Sequence, residues 1–300
     1  MLILVAGITG FVGIPCAEAA IARGHSVRGL ARSAAKLDKD LIQRLEGFEE
    51  MESIYDIAAL DRAVAGVDAV ICAYAALPEI LLEGQLLLLR AAERAGVKIF
   101  HASSWNYDWS KSPLGQHESY DTLIAFWNHA RLSSSIKPLA TFTGAIPEFM
   151  FIRSPKGWDR ETKTFVYCGD PTARIRYTTA DDLAAYSVEA VLAPDAAKGG
   201  FIRVQSFEAS PEEVVQAYEA ARGGRIKAHA QSLGSLEDAE NAVANGRATV
   251  GVQNWLQYIW YGYQVHMGRR TWDYEPVDCA RFSSVKQTSL KEWFEANPEV

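Results

Sequence analysis

The 300-residue sequence predicts an α/β fold, a doubly wound parallel sheet with a smaller, aromatic-rich C-terminal substrate domain. Two observations predict it. Short aliphatic runs alternate with longer helix-like runs through the first half, and strands separated by helices of that length need parallel crossovers. Near Pro147 this alternation gives way to clusters of Trp, Tyr and Phe. The expected division is 1–150 for the sheet domain and 151–300 for the substrate region, with some later strands and helices returning to the sheet.

The elements follow in order. "LILVAG" is a strand, and "IPCAEAAIARG" is a helix ending at Gly24. "SVRGLA" is the second strand, with a charged helix running to Leu45 behind it. A weak strand "FEEMES", the helix "IAALDRAVAG", the strand "DAVICAYA", the long helix "EILLEGQLLLLRAAERAG" and the strand "VKIFHASS" complete the alternation. Beyond residue 150, "RIRYTTADDLAAYSVEAVLA" reads as a strand, an Asp-capped turn and a helix. In that helix Asp181 and Asp182 serve the free amides and the dipole. "GGFIRVQS" is a strand, and "SPEEVVQAYEAARGG" is a helix with Ser210 at its cap and Pro211 in its first turn. In the tail, Trp255, Tyr258, Ile259, Tyr261, Gly262 and His266 fall on overlapping helical faces.

Composition narrows the function. Apolar residues make up 49% of the chain and the net charge is −7, without a Lys/Arg block, so a nucleic-acid surface has nothing to build on. No apolar run reaches the roughly 18 residues of a membrane span, and no basic leader precedes the first strand, so the expected location is cytoplasmic. Cys16, Cys72, Cys168 and Cys279 are far apart without metal-ligand spacing and read as reduced packing residues. No metal is expected.

Three glycines, Gly7, Gly10 and Gly13, stand between the first strand and the first helix. In this arrangement the first permits a tight turn, the middle one lets backbone approach a pyrophosphate, and the last lets the helix pack on the strand. Thr9, Phe11 and Val12 would add amides or a hydroxyl. The pattern predicts a Rossmann-type dinucleotide site. An acid commonly ends the second strand when a free ribose is read, but here the strand ends at Arg32, with Lys36 one helical turn further on. A guanidinium suits a 2′-phosphate, which favours NADP(H) over NAD.

"VAGITGFVG", "LARS", "AGVDAVICAYA", "AGVKIFHASSWN", "TTADDLAAY" and "RFSSVKQTSLKEWF" together resemble the NmrA-like and isoflavone-reductase-like branch of the atypical short-chain dehydrogenases. The resemblance implies an NADPH site from Gly7, Gly10, Gly13, Arg32 and Lys36. It also implies a backbone stretch from Cys72 through Ala73 to Ala75 beside the adenine and ribose, and Ser103 at the nicotinamide end. It further implies a lysine on the helix after the fifth strand, yet "HESYDTLIAFWNHARLSSS" contains none.

Tyr120 and His117 are therefore the candidate proton donors, with Ser103 beside them. Tyr107 and Lys111 share a YxxxK spacing, but Pro113 follows closely and no helix turn is expected to align them. Trp105, Tyr107 and Trp109 follow a strand end and predict a pocket for a small aromatic or apolar substrate. Three readings result: an NADPH-dependent reductase of an aromatic or polyketide-like metabolite, an NADP(H) sensor acting through a protein partner, or a redox-silent isomerase, dehydratase or cyclase.

Overall fold

The computed structural model describes all residues except Ala76, Ser154 and Pro155. The first half runs β1 (Leu2–Ala6), α1 (Gly13–Ala22), β2 (Ser26–Ala31), α2 (Lys39–Arg44), β3 (Gly47–Glu50), α3 (Ile57–Val64), β4 (Ala69–Cys72), α4 (Gln85–Arg94), β5 (Ile99–His101), α5 (Glu118–Ser133) and β6 (Leu139–Phe142). A π-helical turn, Ile80–Gly84, leads into α4, so the long predicted helix is one continuous body with a wider first turn. A second π-helical turn, Glu148–Arg153, runs through the expected boundary at residue 150.

The rest comprises β7 (Trp158–Asp159), β8 (Thr164–Tyr167), β9 (Ile175–Tyr177), α6 (Ala180–Leu192), β10 (Gly200–Arg203), β11 (Phe207–Ala209), α7 (Pro211–Ala221), β12 (His229–Ser232), α8 (Leu236–Val250), α9 (Ile259–Gly268), α10 (Asp278–Arg281) and α11 (Leu290–Ala296). Seven strands form one parallel sheet in the order β10-β6-β5-β4-β1-β2-β3. The order reverses between β1 and β4. That switch point, at the carboxyl edge of the strands, is where open α/β sheets bind ligands.

Alternation along each strand divides the core into two layers. Ile3, Val5 and Ile71 pack under α1 and α6, with Phe282 and Val285 of the tail. Leu4, Ala6, Val70 and Cys72 face the opposite way, under α3 and α4. A separate core joins Phe151, Trp158, Phe165, Tyr218, Trp293 and Phe294. Thus residues beyond 150 build both this second core and the seventh sheet strand. Cys16, Cys72, Cys168 and Cys279 are free thiols. Among the described residues no helix is long and apolar enough to cross a membrane.

The start of α6 corrects the sequence reading. Thr179 is the cap, its hydroxyl accepting from the Asp182 amide at 3.2 Å. Asp182 is buried instead: its carboxylate accepts from Ser206 and from the amide and hydroxyl of Thr288, at 2.8 and 2.9 Å. A carboxylate this deep needs several donors, and here they fasten the tail to α6.

Candidate functional site

The turn after β1 is built backbone against backbone. Gly7 has φ +80°, and a Cβ there would stand 2.5 Å from the Ala73 carbonyl oxygen at the end of β4. A Cβ on Gly13 would stand 2.3 Å from the Gly7 carbonyl oxygen, so helix and turn tolerate only hydrogen at both positions. Gly10 differs. Its Cβ would meet only the Gly7 and Ala73 carbonyl oxygens, at 3.2 and 3.7 Å, and its outer side is open.

The amides of Phe11 and Val12, at the start of α1, have no acceptor among the described residues. Orphan amides at a helix start beside an open glycine form a cradle for a phosphate group. Thr9 lies in the same turn, half-buried. Arg32 and Lys36, just past β2, are exposed, and neither pairs with a carboxylate among the described residues. Arg28, four residues before Arg32, shows the contrast: Glu46 holds it at 3.0 Å.

On the far side of the switch point, Ala73 and Tyr74 are buried and Ala75 is exposed. Ser103 ties the ends of β4 and β5 together, its hydroxyl donating to the Tyr74 carbonyl at 2.9 Å while its amide donates to Gln85 Oε1 at 2.6 Å.

The predicted proton donors, both buried, meet in one network through the half-buried Asn106, Ser119 and Tyr263. Tyr120 donates from its phenol to Asn106 Oδ1 at 2.8 Å, and Asn106 Nδ2 donates to the Tyr263 hydroxyl at 3.0 Å. Tyr263 and Ser119 share a hydrogen bond of 2.7 Å, and Ser119 reaches His117 Nδ1 at 3.0 Å. Every hydroxyl proton is used if Tyr263 donates to Ser119 and Ser119 to His117, which assigns the remaining imidazole proton to Nε2. That nitrogen has no partner among the described residues.

Burial sets the charge state of both groups. It raises the Tyr120 phenol well above its ordinary value, with the neighbouring Tyr263 and Tyr107 adding to the effect. It lowers His117 to about 3, assisted by the nearby His266. Both are neutral at pH 7, and Tyr120 is 0% exposed. No lysine stands on α5, and Arg247 is engaged with Glu118 at 2.6 Å. The network can hold and orient a neutral phenol, and has no cation to ionise it.

The three aromatics expected on a pocket wall are held by the packing around them, and Tyr107 lines a small cavity with Arg176, His266 and Trp272. Trp109 is buried among Trp127, Phe142 and Phe201, with its indole N–H on the Ser104 carbonyl at 3.2 Å. Tyr107 is buried beside Trp272 and donates to the Arg176 carbonyl at 3.3 Å. Trp105 is half-buried, stacked on His101 and bonded to Ser187 at 2.8 Å. The loop after β5 becomes core because Phe201 and Trp272, far along the chain, cover it.

Sequence reading also missed Asn106, Ser119 and Tyr263. Asn106 carried a signal, since it follows β5 at the binding edge. Tyr263 did not, because its neighbours at 261 and 262 fit the predicted face equally well. A cleft of about 570 Å³ opens beside Phe11, lined by Phe11, Glu148, Asp181, Lys286, Glu292 and Trp293 among others. Three carboxylates to one ammonium make that wall acidic. Burial raises Glu148, which accepts from Trp293 Nε1 at 2.7 Å and from the Ala180 amide at 3.1 Å.

Comparison with known proteins now bears on this geometry. The model of the NmrA-like family matches residues 1–243. The chain belongs to that family. Among curated NmrA-like relatives, the bifunctional pinoresinol-lariciresinol reductase of Linum perenne is 27% identical over 250 residues, covering 75% of this chain and 76% of that protein. The leucoanthocyanidin reductase of Vitis vinifera, solved as a binary complex with NADPH, has the same fold at TM-score 0.76 and 16% identity, covering 99% of each chain. The NADPH-dependent quinone oxidoreductase of Escherichia coli, complexed with NADPH, matches at TM-score 0.70 and 17% identity, again covering 99% of both.

Proposed function

We propose that this NmrA-like protein is an NADP(H)-dependent reductase of a small aromatic or polyketide-like metabolite. The observation that carries the reading is the pair of exposed cations, Arg32 and Lys36, standing past β2 with no carboxylate partner among the described residues, on the sheet that carries the open glycine turn. In a chain of net charge −7, where arginines such as Arg28 are paired, two free cations at that edge suit a 2′-phosphate. The reductases and NADPH complexes among its relatives support the same reading.

The residues present fit the cofactor. Arg32 and Lys36 would take the 2′-phosphate, the Phe11 and Val12 amides and Thr9 the diphosphate, and the backbone from Ala73 to Ala75 the adenosine, with Ser103 holding the edge beneath the nicotinamide end. When bound, NADPH supplies a hydride. Tyr120 keeps a neutral O–H held by Asn106 Oδ1, and it would serve a developing alkoxide by turning that proton from Asn106 to the substrate. His117, at the end of the chain, fixes the hydrogen-bond sense of the network.

A second reading has its own observation. Tyr120 is fully enclosed and no lysine accompanies it, which favours a protein that binds the cofactor and passes its state to a partner without turnover, or one that uses the site for redox-silent chemistry. Titration with NADPH and NADH, followed by a panel of aromatic ketones and enones with deuterated NADPH, tests the choice. Deuterium in the product supports the reductase. Tight NADPH binding with product formed but no deuterium transferred assigns the redox-silent enzyme, and binding with no product from any compound leaves the sensor.

A further inference from the structure

Arg153 stands at the end of the π-helical turn Glu148–Arg153, and its guanidinium carbon lies 4.7 Å from the centroid of the Phe11 ring. Phe11 is the residue whose amide, with that of Val12, lacks an acceptor at the start of α1. The chain therefore brings a cation from the C-terminal region onto the glycine turn. Arg153 is exposed and makes no ion pair or hydrogen bond among the described residues. The stacking on Phe11 holds it without consuming its N–H donors.

The turn that carries Arg153 is firmly placed. Phe151 is 1% exposed in the second core, and Arg160 donates to the Ile152 carbonyl at 2.8 Å. Glu148 fastens the other end through Trp293 and Ala180. A guanidinium stacked on Phe11, whose amide and that of Val12 lack an acceptor among the described residues, gives this turn two kinds of donor for an anion.

We propose that Arg153 is a clamp on the diphosphate of the bound dinucleotide, reaching across from the C-terminal region to close the glycine turn from above. The inference rests on the NADP(H) reading. It adds a contact at the diphosphate, separate from the 2′-phosphate contacts of Arg32 and Lys36.

Calorimetric titration of the full chain with NADPH and with adenosine 2′-monophosphate separates the two contacts, because the second ligand has the 2′-phosphate and lacks the diphosphate. Arg153→Ala should weaken NADPH at least about 10-fold, the loss of a charge-assisted hydrogen bond, and leave adenosine 2′-monophosphate unchanged. Arg153→Lys should fall between, retaining the charge without the flat stack. Arg32→Ala, the control, should weaken both ligands. Equal NADPH affinity in the wild type and Arg153→Ala overturns the clamp and leaves the cofactor reading standing. Equal loss for both ligands in Arg153→Ala also overturns the clamp. Failure of the wild type to bind either ligand overturns both.

Discussion

The phenol of Tyr120 donates to Asn106 Oδ1 at 2.8 Å, joining the first turn of α5 to the strand end at the binding edge of the sheet. The bond has two separable consequences, one for stability and one for turnover. Tyr120→Phe removes one of the two donors to Asn106 Oδ1, the Tyr107 amide remaining at 3.0 Å, and should destabilise the fold by about 0.5–1.5 kcal/mol, read from urea unfolding. If the protein is a reductase, the same change should lower turnover by about 10²–10⁴ while NADPH affinity stays nearly constant. Unchanged turnover in an active preparation removes Tyr120 from the chemistry.

Tyr263 offers a second test of the same network, because it receives from Asn106 and meets Ser119. Tyr263→Phe should release Asn106 Nδ2 and the Ser119 hydroxyl, freeing His117 to exchange tautomers. Long-range ¹⁵N–¹H spectra of the imidazole should show one Nε2–H form in the wild type and a mixture in the variant. A wild-type ring protonated on Nδ1 contradicts the direction assigned to the chain.

The glycine turn predicts opposite outcomes for neighbouring residues. Gly13→Ala forces a Cβ to 2.3 Å from a backbone oxygen that cannot swing away, and should cost about 1–3 kcal/mol of stability. Gly10→Ala meets nothing nearer than 3.2 Å and should melt close to the wild type. Gly10→Val carries branches into the open side, where the diphosphate would pass, and should abolish NADPH binding in a folded protein. Thermal melts beside binding titrations distinguish the three.

Arg32→Ala should weaken NADPH by about 10-fold or more and NADH little, since only the first carries the 2′-phosphate. Equal losses for the two cofactors contradict the assignment. The position was legible from sequence because an arginine stood where an acid commonly ends the strand. The alternating strands and helices were legible for a similar reason, since period and length are local properties. Other parts depend on distant chain. His229–Ser232 is a strand exposed at every residue, so it has no apolar alternation to read, and it forms only by pairing with Thr164–Tyr167. The burial of Trp109 and Tyr107 was not legible, because Phe201 and Trp272, which pack on them, lie far along the chain. The Arg153 stack on Phe11 joins residues too far apart for any pattern to connect.

Two buried histidines, His101 and His117, and the half-buried His266 give the last prediction a definite sign. Burial lowers His117 to about 3, and lowers His101 and His266 to about 4 each. In the unfolded chain each returns to an ordinary value near 6.5. Between these limits the unfolded state binds more protons than the folded state, so stability rises with pH. The contribution is fully present above pH 6.5 and is lost as the pH falls through the window towards 3 to 4. Each histidine adds a slope of at most about 1.4 kcal/mol per pH unit there. Urea unfolding of the wild type at pH 7, 6, 5 and 4 should therefore show a steep loss on acidification. His117→Gln, which carries no titrating proton, should flatten that slope by about one histidine's share even if it lowers stability at pH 7. A slope unchanged in His117→Gln shows that His117 titrates alike in both states, which contradicts its enclosure between Tyr120, Tyr263 and Trp272.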